Sequence, residues 1–501
     1  MNFGSLDTIL FRQNLKLEGS KMEKLIGRHR ECETLQRLYD SRRPEFVAVC
    51  GRRRVGKTYL IRQFFKDRFA FSHAGISSSD LTTSNLLQSQ LLNFGYSLRY
   101  YGLELEHNLR DWFEAFHELI RLLETHRDGK RQVVFIDEMP WLDTPRSGFI
   151  SALENFWNGW GAQQEDLLLI VCGSATAWMT DKLINNHGGL YGRITRELHL
   201  MPFNLAECEE YYKQNGLELS RFDQAQAYMM LGGIPFYLNG LQKGLSLVQN
   251  VDAMFFAKNA PFAGELQRMF ASLFVNHQDY LKVVTSLSTR SLGLTRGEIS
   301  EKTEIESGSR LTEILYTLKN SDFITEYVPF GANRKTKRYK LTDGFTLFHL
   351  HFLRKKQSAN PNFWQDNFQS PAIRAWSGFA FENLCFCHLQ QIKRALGISG
   401  VQCQAEPWLG EGSEGKAQID MLLVRNDGII NVCEMKFSQT QFTMTATDEN
   451  NFRRKLAVLQ AENNTRNAFH PTLITTFGLT ANKHSGIIQN TINLDDLFCE
   501  E

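Results

Sequence analysis

Phe46-Val47-Ala48-Val49-Cys50-Gly51-Arg52-Arg53-Arg54-Val55-Gly56-Lys57-Thr58-Tyr59-Leu60-Ile61-Arg62-Gln63-Phe64-Phe65 is the stretch on which the fold turns. A short apolar run predicts a buried strand, the segment after Thr58 predicts a helix, and the loop between them fits G-x-x-x-x-G-K-[ST]. In that order the backbone N–H groups and the helix N-terminus can surround phosphate groups. Gly51, Arg52, Arg53, Arg54, Val55, Gly56, Lys57 and Thr58 are therefore the candidate nucleotide contacts. Lys57 is expected to reach the β- and γ-phosphates and Thr58 to ligate Mg²⁺, making ATP and Mg²⁺ the expected cofactors.

Working outward, Gln132-Val133-Val134-Phe135-Ile136-Asp137-Glu138 is an apolar strand that ends in two carboxylates. Asp137 suits the Mg²⁺ site, and Glu138 suits the polarisation of an attacking water. A second buried run, Asp166 to Cys172, leads into Gly173-Ser174-Ala175-Thr176. Ligands gather at the carboxyl ends of the strands in a doubly wound parallel sheet, so Ser174 or Thr176 is the candidate γ-phosphate sensor. Arg193 and Arg196 are candidates to offset transition-state charge, either within the chain or across a subunit interface.

Residues 22–260 resemble the predicted AAA+ ATPases of archaea and bacteria that stand close to the signal-transduction (STAND) NTPases. Ile26-Gly27-Arg28-His29-Arg30-Glu31 is similar to the family's entry motif, and the resemblance implies that Arg28 lies near the nucleotide base. Leu231-Gly232-Gly233-Ile234-Pro235 resembles the Gly-x-Pro motif of the helical lid, which implies that Pro235 packs on the adenine side. From the residues alone this stretch is a helix break.

The 501 residues predict three or four domains at roughly 100–200 residues each. Hydrophobic residues at 42%, charged residues at 22% and only 11 prolines exclude a disordered or fibrous chain. Lys plus Arg (56) nearly cancels Asp plus Glu (55), and the net charge of +1 excludes a uniformly basic nucleic-acid coat. The nine cysteines form no CxxC pair, so reduced thiols in a cytoplasmic protein are expected and structural zinc is not. No apolar run approaches the roughly 18 residues of a membrane span. Residues 1–21 read as a flexible extension or the product of a start assigned upstream of Met22.

Between 280 and 345, Thr295-Arg296-Gly297-Glu298 predicts a capped helix start, and Leu311, Ile314, Leu315 and Leu318 predict one buried helical face. Two strand-like runs follow, at 323–330 and 338–342, completing the pattern of a winged helix. Arg334, Lys335, Lys337, Arg338 and Lys340 cluster on the wing and its return strand, where DNA phosphates could be met. The recognition helix carries Glu313 beside Arg310 and Lys319, with Glu304 and Glu306 just before it, which is poor chemistry for base edges. Phosphate contact and bracing against the ATPase remain open for this module.

Near the C-terminus a helix containing Glu382 and reaching about Leu396 precedes two strands, 418–424 and 429–436, joined at Asn426-Asp427-Gly428. The hairpin brings Asp420 and Glu434 to one end, and Glu434 and Lys436 share a face. Two carboxylates with a lysine alongside are what phosphodiester hydrolysis needs: the acids hold Mg²⁺, which activates water, and the lysine stabilises the transition state. Glu382, Asp420, Glu434 and Lys436 follow the order of a PD-(D/E)XK nuclease, with Asp420 and Glu434 as the metal ligands. The same family often ends in such a domain, with a Gly-x-x-Phe-Glu helix, Gln-Ile-Asp and Glu-x-Lys, and these are present here.

The expected architecture is an α/β multidomain chain. It comprises an extension (1–21), a P-loop AAA+ core with a doubly wound parallel sheet (22–203), a helical lid (204–265), a winged helix (266–355) and an α/β restriction-endonuclease-like domain (356–501). The expected function is ATP binding and hydrolysis coupled to a metal-dependent nuclease-like domain acting on DNA. A nucleotide-operated switch whose last domain only binds nucleic acid or a protein is the alternative. A second copy of the chain is an open partner, and a membrane is not expected.

Overall fold

The structure, a computed structural model, describes residues 25–499 apart from 78–84, 187, 333–335, 355–359, 413–414 and 464–465. The expected extension, and Arg334 and Lys335 of the expected wing, lie outside the described residues.

The first sheet contains β1 Glu45–Cys50, β2 Phe69–Ala74, β3 Gln132–Asp137, β4 Leu167–Cys172 and β5 Arg196–His199. Its order is β2-β3-β4-β1-β5, and all neighbours run parallel. β1, β3 and β4 are buried along their whole length, as parallel strands covered on both faces must be. Parallel pairing brings the loop after β1, the carboxylates after β3 and Ser174 after β4 to one edge. Helix α1, Lys57–Phe65, leaves that edge directly after the glycine-rich loop. Gly51 adopts φ +129°, and a Cβ there would lie 2.4 Å from the Leu200 carbonyl oxygen, so the loop cannot begin with any other residue.

A helical segment follows, beginning with Leu205–Gln214 under an Asn204/Glu207 capping box. Gly233 sits at φ +64° with its amide plane against Phe203, whose N–H donates to the Gly233 carbonyl at 2.8 Å.

The middle module has helices His277–Leu287 and Arg296–Thr303, α2 Ser309–Asn320, and an antiparallel sheet of β6 Leu294–Thr295, β7 Ile324–Tyr327 and β8 Arg338–Leu341 in the order β6-β8-β7. The Thr295/Glu298 capping box forms, and Leu311, Ile314, Leu315 and Leu318 are the buried residues of α2. β7 ends at Tyr327 and not at 330, where its pairing with Arg338 stops, and β8 ends at Leu341 and not at 342.

Helices α3 Gly344–Phe352 and α4 Pro371–Cys387 lead to a second sheet. Here β9 Cys403–Gly412, β10 Gly415–Arg425 and β11 Ile429–Lys436 are antiparallel, while β13 Ala468–Thr475 and β15 Asn490–Ile492 add in parallel. Helix α5 Ala446–Glu462 covers it, and β12 Phe442–Thr443 pairs with β14 Leu479–Thr480 in a small separate sheet. The helix expected to run to about Leu396 is two helices. α4 stops at Cys387 and Leu389–Ala395 restarts, with buried His388 between them accepting from the Leu205 N–H at 2.9 Å. One apolar core runs without interruption from Val47 through Tyr237, Leu315 and Phe348 to Met421. Among the described residues no helix is long and apolar enough to cross a membrane.

Candidate functional sites

At the carboxyl edge of the first sheet, Thr58 Oγ1 donates to Asp137 Oδ2 at 2.8 Å, and Asp137 Oδ1 accepts from the Glu138 N–H at 2.9 Å. The Lys57 ammonium donates to the carbonyls of Gly51 and Arg52 at 2.7 and 2.9 Å, which holds it over the loop. Glu138 adopts φ +45°, and its Oε2 accepts from the Ser174 N–H at 3.2 Å and the Ser174 hydroxyl at 2.9 Å. Of the two candidate sensors, Ser174 is thus joined to the acid, whereas Thr176 is buried with its hydroxyl unpartnered. A hydroxyl and a carboxylate held together, under a lysine and beside the N-terminus of α1, are the hard oxygen donors and cationic cradle that Mg²⁺ and a triphosphate require.

Arg28 grips the loop from the other side. Its Nη2 donates to the Val55 carbonyl at 3.4 Å, its guanidinium lies 4.7 Å from the Phe203 ring centroid, and its N–H donates to Glu207 at 3.1 Å. Pro235 opens the short helix Pro235–Leu238, whose Phe236 ring lies 4.0 Å from the Arg54 guanidinium.

The three loop arginines correct the simplest expectation for them. Their side chains turn to the neighbouring modules, leaving only their backbone N–H groups for phosphates. Arg52, 2% exposed, forms a bidentate ion pair with Asp343, with Nη2 to Oδ1 at 2.9 Å, and stacks 4.8 Å from Phe323. Arg53 donates to the Ser272 hydroxyl at 2.6 Å, and Arg54 pairs with buried Glu265. Asp343 also caps α3 by accepting from the Thr346 N–H at 2.8 Å.

Arg193 and Arg196 are both exposed, Arg196 stands opposite Val47, and the Thr195 N–H donates to Phe46 at 2.8 Å. Arg196 therefore enters the sheet beside Val47, four residues before Gly51, and Arg193 lies three residues before Arg196.

In the second sheet, pairing of Met421 with Cys433 sets Asp420 beside Glu434. Asp420 Oδ2 accepts from the Met435 N–H at 2.9 Å. Glu434 Oε2 lies 3.7 Å from the Lys436 ammonium, and its Oε1 pairs with Lys455 of α5. Glu382 of α4 faces this group. Burial, then the Asp420 charge, pushes its carboxyl up to about 7, and burial and Asp420 do the same to Glu434, also to about 7. Crowded carboxylates largely withdrawn from water are relieved by a divalent cation, and oxygen donors suit Mg²⁺ or Mn²⁺.

Two lysines at this site were not read from the sequence as site residues. Lys455 lies in an Arg453-Arg454-Lys455 run that looks like a solvated helix face. Lys340 belongs to the basic cluster expected to meet DNA phosphates from the wing and its return strand, yet it is 2% exposed, with its ammonium 4.6 Å from the Phe386 ring and 5.9 Å from Phe379 of α4. The other described basic residues expected to meet DNA are also engaged within the chain: Lys337 with Glu326 and Arg338 with Glu298. α2 packs inward too, with the Tyr316 hydroxyl donating to Asp181, which follows β4.

Residues 25–241 match a family model described as an ATPase domain predominantly from Archaea. An uncharacterized protein of Methanocaldococcus jannaschii is 23% identical over 408 residues, covering 80% of this chain and 84% of that one. Among solved structures, the Walker-type ATPase of Pyrococcus abyssi aligns with a TM-score of 0.44 and 21% identity, over 65% of this chain and 96% of its own. The ORC2 protein of Aeropyrum pernix aligns at 0.38 and 14%, over 66% and 95%. A STAND protein of Pyrococcus horikoshii aligns at 0.29 and 13%, over 76% and 53%. Residues 25–241 are similar to an ATPase domain found predominantly in Archaea.

Proposed function

We propose that this chain binds and hydrolyses ATP at Lys57, Thr58, Asp137 and Glu138, and uses the nucleotide to control a metal-dependent, PD-(D/E)XK-type nuclease acting on DNA. The observation that carries the nuclease half is the strand pairing that sets Asp420 beside Glu434, with Lys436 3.7 Å from Glu434 and Glu382 near enough to feel both charges. When bound, Mg²⁺ would supply an activated water and neutralise phosphate charge. Asp420 and Glu434 would hold it, Glu382 would orient that water as a base, and Lys436 would stabilise charge on the phosphate. In the ATPase half, Thr58 and Asp137 would hold the nucleotide's Mg²⁺, Lys57 would neutralise the β- and γ-phosphates, and Glu138 would align the hydrolytic water while Ser174 fixes its carboxylate. Arg28 and Pro235 would flank the adenine base, and Arg193 is the candidate for a contact with a second copy of the chain.

The reading is tested by incubating the full chain with single-stranded, duplex and branched DNA in Mg²⁺ or Mn²⁺. Cleavage that Lys436→Ala removes while ATP turnover persists supports it, and an inert wild type across substrates and metals refutes the nuclease half. A nucleotide-operated switch without cleavage is the second reading. It is favoured by one observation: Arg52, Arg53 and Arg54 each tie the phosphate loop to another module. It predicts that Glu434→Ala spares the biological phenotype that Lys57→Ala removes.

A further inference from the structure

Lys340 is a buried lysine with no ion pair or hydrogen bond among the described residues; only aromatic rings hold its ammonium. Those rings are informative. Phe379 and Phe386 flank Glu382 at three and four residues along α4, so all three share one helical face, and an ammonium lying between the rings lies along the face that carries the carboxylate. The strand bearing Lys340 is tied to the same helix, because Asn383 Nδ2 donates to the Leu341 carbonyl at 3.4 Å. Burial lowers the pKa of the Lys340 ammonium, and the charges of Glu382 and then Asp420 oppose that lowering, while Lys340 in turn favours ionised Glu382.

Three residues on, Asp343 holds Arg52 of the phosphate loop. The segment 340–343 therefore has one end at the acidic site and the other on the loop that would wrap the nucleotide. Beside it lies a cavity of about 990 Å³, lined among others by Arg28, Tyr228, Gly232, Lys340, Asn383 and Phe386. A four-carbon side chain on the wall of such a space has room to swing out.

We propose that Lys340 is a built-in competitor of the divalent cation: it supplies positive charge to the Glu382, Asp420 and Glu434 site, and nucleotide binding, acting through Arg52 and Asp343, withdraws it. This rests on the reading of those carboxylates as a metal site. It makes the middle module an inhibitory brace, coupling the phosphate loop to the acidic site, and gives the loop arginine a task other than phosphate contact.

The test is Mn²⁺ binding to the full chain followed by electron paramagnetic resonance, counting as site-bound the Mn²⁺ that Asp420→Asn removes. Lys340→Met, which keeps length and suits an aromatic cradle, should tighten that binding roughly tenfold or more, since one positive charge several ångströms from a dication is removed. Lys340→Arg retains the charge and should bind Mn²⁺ no more tightly than the wild type. A non-hydrolysable ATP analogue should tighten site binding in the wild type and leave Lys340→Met unchanged. If Lys340→Met binds Mn²⁺ no better than wild type while Asp420→Asn loses it, the competitor role is overturned and the metal site stands. Should Asp420→Asn bind as wild type does, the metal site itself fails, and the competitor with it. An analogue effect of equal size in wild type and Lys340→Met overturns the coupling.

Discussion

The Arg52–Asp343 pair allows a sharp test of how the phosphate loop is joined to the rest of the chain. Both side chains are almost fully buried, at 2% and 3% exposed, and Asp343 accepts from Arg52 and from the Thr346 N–H. Removing one partner strands the other charge away from water, at a cost of about 3–5 kcal/mol. Asp343→Ala also deletes the α3 cap, worth about 1 kcal/mol. Replacing both, as in Arg52→Met with Asp343→Ala, leaves the cap loss but strands nothing. The double variant should therefore be more stable than the sum of the single losses predicts, by at least about 3 kcal/mol. The assay is urea unfolding of wild type, both single variants and the double, followed by tryptophan fluorescence and far-UV circular dichroism so that coincident transitions can be confirmed. Losses that add to within about 0.5 kcal/mol would show that the two residues do not depend on each other and refute the clamp.

Other outcomes follow from the same geometry. Glu138→Gln should bind ATP normally yet turn it over about 10²–10⁴-fold more slowly, read by a phosphate-release assay alongside nucleotide titration. Gly233→Ala should lower stability by at least about 1–3 kcal/mol, because φ is +64° and the new Cβ would meet the Phe203 carbonyl oxygen at 2.1 Å; thermal unfolding reads this. His199 is raised to about 10 by its hydrogen bond to Asp322 and then by Cys50. A raised pKa means that the folded state holds the proton more tightly. The stabilisation is thus complete below the unfolded value of about 6.5 and fades as pH rises toward about 10. The gap in unfolding midpoint between wild type and Asp322→Asn should accordingly be largest near pH 6 and shrink by pH 9.5.

What the sequence disclosed was local. The strand, glycine-rich loop and helix around Gly51 to Thr58, the Thr295/Glu298 cap and the Asp420/Glu434 hairpin each lie within about twenty residues, where periodicity and turn chemistry decide the outcome. Arg52 and Asp343 are 291 positions apart, and nothing near either one announces the other. Lys340 was misread for a related reason. In a four-residue strand, alternation tells which residues share a face, but only the arrival of α4 decides that the face bearing Lys340 is covered. Arg193 and Arg196 follow the candidate sensor strand in sequence, whereas their distance from the loop depends on the register of β5 against β1. The break at His388 depends on a contact with Leu205, 183 residues away.

The central claim is that nucleotide at the phosphate loop controls metal-dependent cleavage at the second sheet, and one measurement addresses it directly. DNA nicking by the full chain in Mn²⁺ would be timed with no nucleotide, with ATP and with a non-hydrolysable analogue, for wild type, Lys57→Ala and Lys436→Ala. Nucleotide-dependent cleavage that either substitution abolishes is the expected result. Cleavage at one rate regardless of nucleotide and of Lys57, or no cleavage by the wild type, would contradict it.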